Sequence, residues 1–93
     1  MIKSFRGKIA EQIHSRERAP HFPADIYRVA QRKLAMLDAA TSLNDLMVPP
    51  SNRLEKLRGD REGQYSIRIN DQWRIVFRWT DPGPEDVEIM DYH

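Results

Sequence analysis

Cysteine is absent from this 93-residue chain, which removes disulfides and thiolate metal sites from consideration. No apolar run approaches the ~20 residues that a membrane-spanning helix needs. The opening Met1-Ile2-Lys3-Ser4-Phe5-Arg6 lacks the apolar core of a secretory signal. His14 and His21 have no partners at metal-ligand spacing and read as surface or loop residues. There is no internal repeat and no low-complexity segment. These absences lead to the expectation of a soluble, cytoplasmic protein with no membrane contact. Hydrophobic residues at 40% and charged residues at 31% fit a globular chain. The length suits one domain over residues 1–93 with a modest core.

The net charge of +1 conceals an uneven distribution. Residues 1–52 and residues 53–78 each carry an excess of three basic residues, whereas residues 79–93 carry five acidic residues and no Lys or Arg. A basic middle beside an acidic tail can serve one anionic and one cationic partner.

Periodicity divides the chain. Residues 2–5 can form a short first strand. Residues 7–15 read as a short helix, with Ile9 and Ile13 on one face. Two prolines make residues 16–23 a loop, expected to be mobile. A main helix opens at Pro23 or Asp25, and Tyr27, Ala30, Leu34 and Leu37 form its apolar stripe, with Arg28, Gln31, Arg32 and Asp38 off it. Thr41 or Ser42 can cap a further turn through Leu46 before Pro49-Pro50 ends helical structure. Leu54 and Leu57 suggest a short strand or irregular edge. Two alternating strands follow over residues 64–69 and 73–79, then a turn at 81–84 and a last strand over 86–92. The expected fold is α+β, a small antiparallel sheet with two to three N-terminal helices packed on one face.

The hairpin register follows from face matching. Tyr65, Ile67 and Ile69 share one face, as do Trp73, Ile75, Phe77 and Trp79. The faces coincide if the loop is Asn70-Asp71-Gln72, which pairs Ile69 with Trp73 and Ile67 with Ile75. Trp73 and Trp79 are then core residues rather than stacking platforms. The same register sets Arg68 opposite Arg74. Like charges in that position are unfavourable unless an anion or carboxylate sits between them or both heads splay into water.

The run Asn52-Arg53-Leu54-Glu55-Lys56-Leu57-Arg58-Gly59-Asp60-Arg61-Glu62-Gly63, then Tyr65-Ser66-Ile67-Arg68-Ile69-Asn70-Asp71-Gln72-Trp73-Arg74-Ile75, and the final Asp91-Tyr92-His93 resemble the HigB branch of the RelE-type toxins of type II toxin–antitoxin systems. The likeness spans nearly the whole chain, including Lys33-Leu34-Ala35-Met36-Leu37-Asp38-Ala39-Ala40. It implies a RelE-like fold and a metal-independent, cofactor-free endoribonuclease. Such toxins cut messenger RNA in the ribosomal A site, with the RNA 2′-hydroxyl as nucleophile. Implied partners are the 70S ribosome, the messenger and a helix-turn-helix antitoxin, with operator DNA reached only through that antitoxin.

That chemistry needs a base for the 2′-hydroxyl, cations for the phosphorane charge and an acid for the leaving 5′-oxygen. His93 can serve as base or acid, since histidine titrates near neutrality. Asp91 can orient it or share the proton work, and Tyr92 can stack on a base. Arg74 is the leading candidate for a phosphate clamp, with Arg68 and Arg58 next. Arg74 could alternatively pair with Asp91. Glu55 falls where related toxins often carry a histidine, and Arg58 keeps the basic position beside it. A glutamate can act as a base but brings no positive charge. Arg53, Lys56, Arg61 and Arg78 are candidates for contacts to substrate or ribosomal RNA. Two rivals remain. A ParE-like toxin would use this scaffold to poison gyrase without cutting RNA, and a weakened toxin would act mainly as the antitoxin's partner in operon repression.

Overall fold

A helical periodicity before Ala40 and a two-residue alternation after Gly63 build the two layers of the molecule. The computed structural model describes residues 1–92. Helix α1 spans Ile9–His14 and buries Ala10 and Ile13. Helix α2 spans Tyr27–Ala39, entered through a 3-10 turn at Ala24–Ile26. Ala30, Leu34 and Leu37 of its expected stripe are fully buried, and each leucine contributes about 1.5–3 kcal/mol by leaving water. A 3-10 turn at Leu43–Met47 follows, closed by a capping box between Ser42 and Asp45. Another 3-10 turn runs over Pro50–Asn52.

Four strands complete the domain: β1 (Glu55–Lys56), β2 (Gln64–Arg68), β3 (Trp73–Thr80) and β4 (Gly83–Asp91). They form one antiparallel sheet in the order β1-β2-β3-β4. Ile67 faces Ile75 and Arg68 faces Arg74, as face matching requires. The loop between β2 and β3 is Asn70-Asp71-Gln72. Asn70 Oδ1 accepts the backbone N–H of Gln72 at 2.9 Å and of Trp73 at 2.8 Å, so the loop is held by its own side chain.

One face of the sheet carries Ile67, Ile69, Ile75, Phe77 and Val87 into the core beside the two helices. Trp73 and Trp79 pack against this core, and Phe22 meets the Trp73 ring edge-on at 5.0 Å. That contact, with Ala19 also buried, pins the loop that the sequence suggested was mobile. Residues 2–5 also depart from expectation. They run parallel to β4, with Lys3 N–H to Pro84 O at 2.7 Å and Arg6 N–H to Val87 O at 2.9 Å, but form a single bridge, Phe5 to Val87, rather than a strand. The reason lies in β4. Its register against β3 shifts between Val76 and Arg78, and Asp86 adopts a left-handed φ of 52°, so no regular ladder can run past that point.

Candidate active site on the helix-free face of the sheet

Strand alternation sends Glu55, Ser66, Arg68, Arg74, Val76, Glu88 and Met90 to the face opposite the helices. Val76 is fully buried there yet lies outside the main core cluster. Its cover is polar. Arg61, from the 3-10 turn Gly59–Arg61, reaches Gln64 at 3.3 Å and Glu88 on β4 at 2.9 Å, a span that must pass over β3.

Arg74 is the centre of this face and is only 8% exposed. Its Nε donates to Ser66 Oγ at 2.8 Å, and its Nη2 donates to the carbonyl of Arg53 at 2.6 Å. Glu55 Oε1 stands 3.5 Å from the same Nη2. The Tyr92 ring lies over the guanidinium, 5.9 Å from its carbon to the ring centroid. Among the described residues these hydrogen bonds use Nε and Nη2, which leaves the two N–H groups of Nη1 for a ligand. A planar fork held in this way is already oriented before any phosphate arrives.

Two expectations for the arginine pair change. Arg68 and Arg74 do not splay together into water, and among the described residues no carboxylate bridges them. Arg68 turns to the Asp71 carboxylate in the loop, while Arg74 folds the other way over Ser66, so the like charges diverge. The pairing of Arg74 with Asp91 also gives way, because Asp91 opposes Trp73 and therefore projects from the other side of the sheet. There its Oδ2 accepts a hydrogen bond from Gln72 Nε2 at 3.0 Å. The adjacent Tyr92 N–H donates to Gln72 O at 2.5 Å, which ties the end of β4 to the hairpin loop.

Glu55, Arg74 and Tyr92 thus come together, with the Arg53 backbone as a strut. Lys56 and Arg58 sit slightly apart, lining a groove of about 370 Å³ with Leu57, Gly59 and Glu62. Arg78 stands at the far end of the face, 3.9 Å from Asp86. His93 lies outside the described residues. Sequence reasoning missed Ser66 as the Arg74 partner, although the register put it two places from Arg68 on the same face. It also missed Lys33 and Asn52, both buried, of which Asn52 immediately precedes the Arg53 carbonyl that holds Arg74. Lys33 lies on the Ala30–Leu37 stripe and donates through Nζ to Asn52 Oδ1. Burial holds its pKa below the ordinary 10.5, and the neighbouring Arg32 and Arg68 charges add to that depression.

Fold and site together define a small α+β domain whose helix-free sheet face carries an oriented guanidinium with a carboxylate and a phenol beside it. Over residues 3–93 the chain matches the family described as RelE-like toxin of type II toxin–antitoxin system HigB, and it belongs to that family. It is 40% identical over 82 residues to Toxin HigB-1 of Vibrio cholerae, covering 87% of this chain and 86% of that one. It is 34% identical over 94 residues to Endoribonuclease HigB of Proteus vulgaris, with both chains covered completely. In fold it resembles a chain of the YoeB–YefM complex from Staphylococcus aureus, with a TM-score of 0.63 at 22% identity, covering 100% of this chain and 95% of that one. The family match selects the HigB branch over the ParE-like alternative.

Proposed function

We propose that this toxin is a ribosome-dependent endoribonuclease that cuts messenger RNA in the A site by internal attack of a 2′-hydroxyl. The observation that carries the reading is the buried, pre-oriented Arg74 guanidinium with Glu55 and Tyr92 beside it on the helix-free face. The relative named an endoribonuclease supports the same chemistry. In the reaction the 2′-oxygen forms a bond to phosphorus, the bond from phosphorus to the 5′-oxygen breaks, and a 2′,3′-cyclic phosphate remains. Arg74 holds the charge that builds on the non-bridging oxygens. Tyr92 stacks on a nucleobase. Glu55 and His93 supply the proton-transfer groups, and Asp91, which leaves the sheet on the other side from Arg74, serves as the carboxylate that orients His93. Lys56 and Arg58 bind the RNA backbone along their groove, and Arg53, Arg61, Arg68 and Arg78 extend the basic surface toward substrate and ribosomal RNA. The protein partner is a helix-turn-helix antitoxin, and operator DNA is bound only through it.

Cell-free translation with purified protein tests this, wild type against His93→Ala, with primer extension to map messenger ends. Cuts inside translated codons, dependent on ribosomes and lost in the variant, are the expected result. Blocked translation with intact messenger would instead indicate ribosome binding without chemistry, the weakened-toxin alternative. Intact messenger and normal translation would sink the nuclease reading.

A further inference from the structure

Lys33 is a lysine with 5% exposure on a helix, and among the described residues it has no carboxylate partner. A buried ammonium without a counter-ion is costly. Near neutral pH a helix position of this kind is more stable with an apolar residue of similar length. What the ammonium does make is a hydrogen bond to Asn52 Oδ1. Asn52 is itself 0% exposed, and its Nδ2 donates to Leu46 O at 3.1 Å and Val48 O at 3.4 Å and contacts Met36 Sδ at 3.1 Å. Every polar atom of the Asn52 side chain is therefore committed. The next residue, Arg53, takes a left-handed φ of 46° and ψ of 55°, and its carbonyl receives Arg74 Nη2. A non-glycine residue holds that conformation when its neighbours determine it.

We propose that Lys33 and Asn52 are positioning residues: they lock the Pro50–Asn52 turn so that the Arg53 carbonyl stands where it orients the Arg74 guanidinium. Neither touches the RNA. The route runs from helix α2 through two side chains and one peptide group to the phosphate clamp. The inference rests on the nuclease reading for its kinetic consequence but not for its structural one. If the turn is released, the Arg53 carbonyl withdraws, Nη2 keeps only its longer contacts to Glu55 Oε1 and the Ser66 carbonyl, both at 3.5 Å, and the guanidinium loses its fixed orientation. A displacement of about 1 Å of a charge-stabilising group can cost ~10²-fold in rate.

The test uses Lys33→Met, which keeps the alkyl stem and removes the ammonium, and Asn52→Asp, which keeps an acceptor for Lys33 and removes both donated bonds. Two readouts are needed. The first is the Nε–H resonance of Arg74 in a ¹H–¹⁵N spectrum of the purified toxin, assigned by its loss in Arg74→Lys. The second is single-turnover cleavage on messenger-programmed ribosomes, which separates the maximal rate from the half-saturating concentration. In each variant that retains the native spectrum, the Arg74 resonance is expected to shift or broaden. The maximal rate is expected to fall about 10- to 100-fold, with half-saturation within about threefold. A merely structural role would move the melting temperature and leave both readouts alone, and that result would overturn the proposal. So would a change confined to half-saturation, or a moved resonance with the wild-type rate. Should the wild type itself not cut, the nuclease reading fails, and the Arg74 resonance alone decides whether Lys33 and Asn52 position the guanidinium. Should Asn52→Asp not fold, Lys33→Met carries the decision.

Discussion

Replacing Arg74 by lysine separates charge from geometry. The unit charge stays, but a lysine has one nitrogen and cannot reach both Ser66 Oγ and the Arg53 carbonyl while also presenting donors to a phosphate. Removing one preorganised donor from a developing oxyanion costs roughly 10²–10³ in rate, about 2.7–4 kcal/mol in the barrier. The fold suffers separately. The Arg53 carbonyl loses a charge-assisted hydrogen bond, worth about 1.5–3 kcal/mol in net stability, and because Arg74 is 8% exposed little solvent can take its place. For a domain of this size that corresponds to a fall of roughly 10 °C in melting temperature. Single-turnover cleavage at 20 °C, with circular dichroism confirming the folded state, keeps the two effects apart. The expected outcome is a variant that is folded, binds ribosomes and cuts at least about 100-fold more slowly. Cleavage within threefold of wild type would show that a point charge suffices at this position, and the argument from a pre-oriented fork would fail.

Phe22→Ala removes the ring that meets Trp73 edge-on. It is expected to cost about 3–5 kcal/mol, measurable by urea denaturation, with enhanced amide exchange confined first to residues 16–23. Gly83→Ala places a Cβ 2.2 Å from the Met1 carbonyl oxygen, on a backbone with φ +148°, so the N-terminal segment must shift. Thermal melting should show a clear loss of stability, and an unchanged melting temperature would mean that the first residues are not held against β4. Asp45 accepts hydrogen bonds from the Thr41 backbone and hydroxyl and from the Ser42 backbone, and these, the Thr41 bonds first, hold its carboxyl below the ordinary 3.8. Since the folded pKa is the lower one, its stabilisation is complete above 3.8 and disappears as pH falls through the folded value. The gap in melting temperature between wild type and Asp45→Asn should therefore be full at neutral pH and close in acid. A gap that widened in acid would contradict the cap. Lys33 has the opposite charge and a lowered pKa, so the unfolded chain binds more protons just below pH 10.5. Wild type should gain stability relative to Lys33→Met as alkaline pH rises toward that value, as followed by chemical denaturation across a pH series.

Much of the fold was legible in the residues because local periodicity fixes which way a side chain leaves the backbone. The Ala30-Leu34-Leu37 stripe and the Ile67–Ile75 pairing needed no long-range information. The Asn70-Asp71-Gln72 loop followed from the requirement that both apolar faces coincide. The Ile2–Phe5 segment was misjudged as a strand because the irregularity that limits it lies more than 80 residues away, at Asp86, whose N–H Ser4 Oγ accepts at 2.9 Å.

By itself the sequence determined the α+β class, the strand faces, the hairpin register and, through its motifs, the toxin family. Glu55 could be named as a candidate only through the family resemblance, and Arg74 and Tyr92 through that resemblance together with residue type. Tertiary structure alone decided how deep each of them lies and what each touches. It buried Arg74 against a carbonyl from a distant turn, sent Arg68 away toward Asp71, and put Asp91 on the opposite side of the sheet. It also buried a lysine and an asparagine against each other; Lys33 falls in phase with the Ala30–Leu37 stripe, but nothing local names Asn52 as its partner. The physical reason is that alternation chooses a face, whereas burial and partners depend on which loops cross that face, and those loops are set by contacts between residues far apart in the chain.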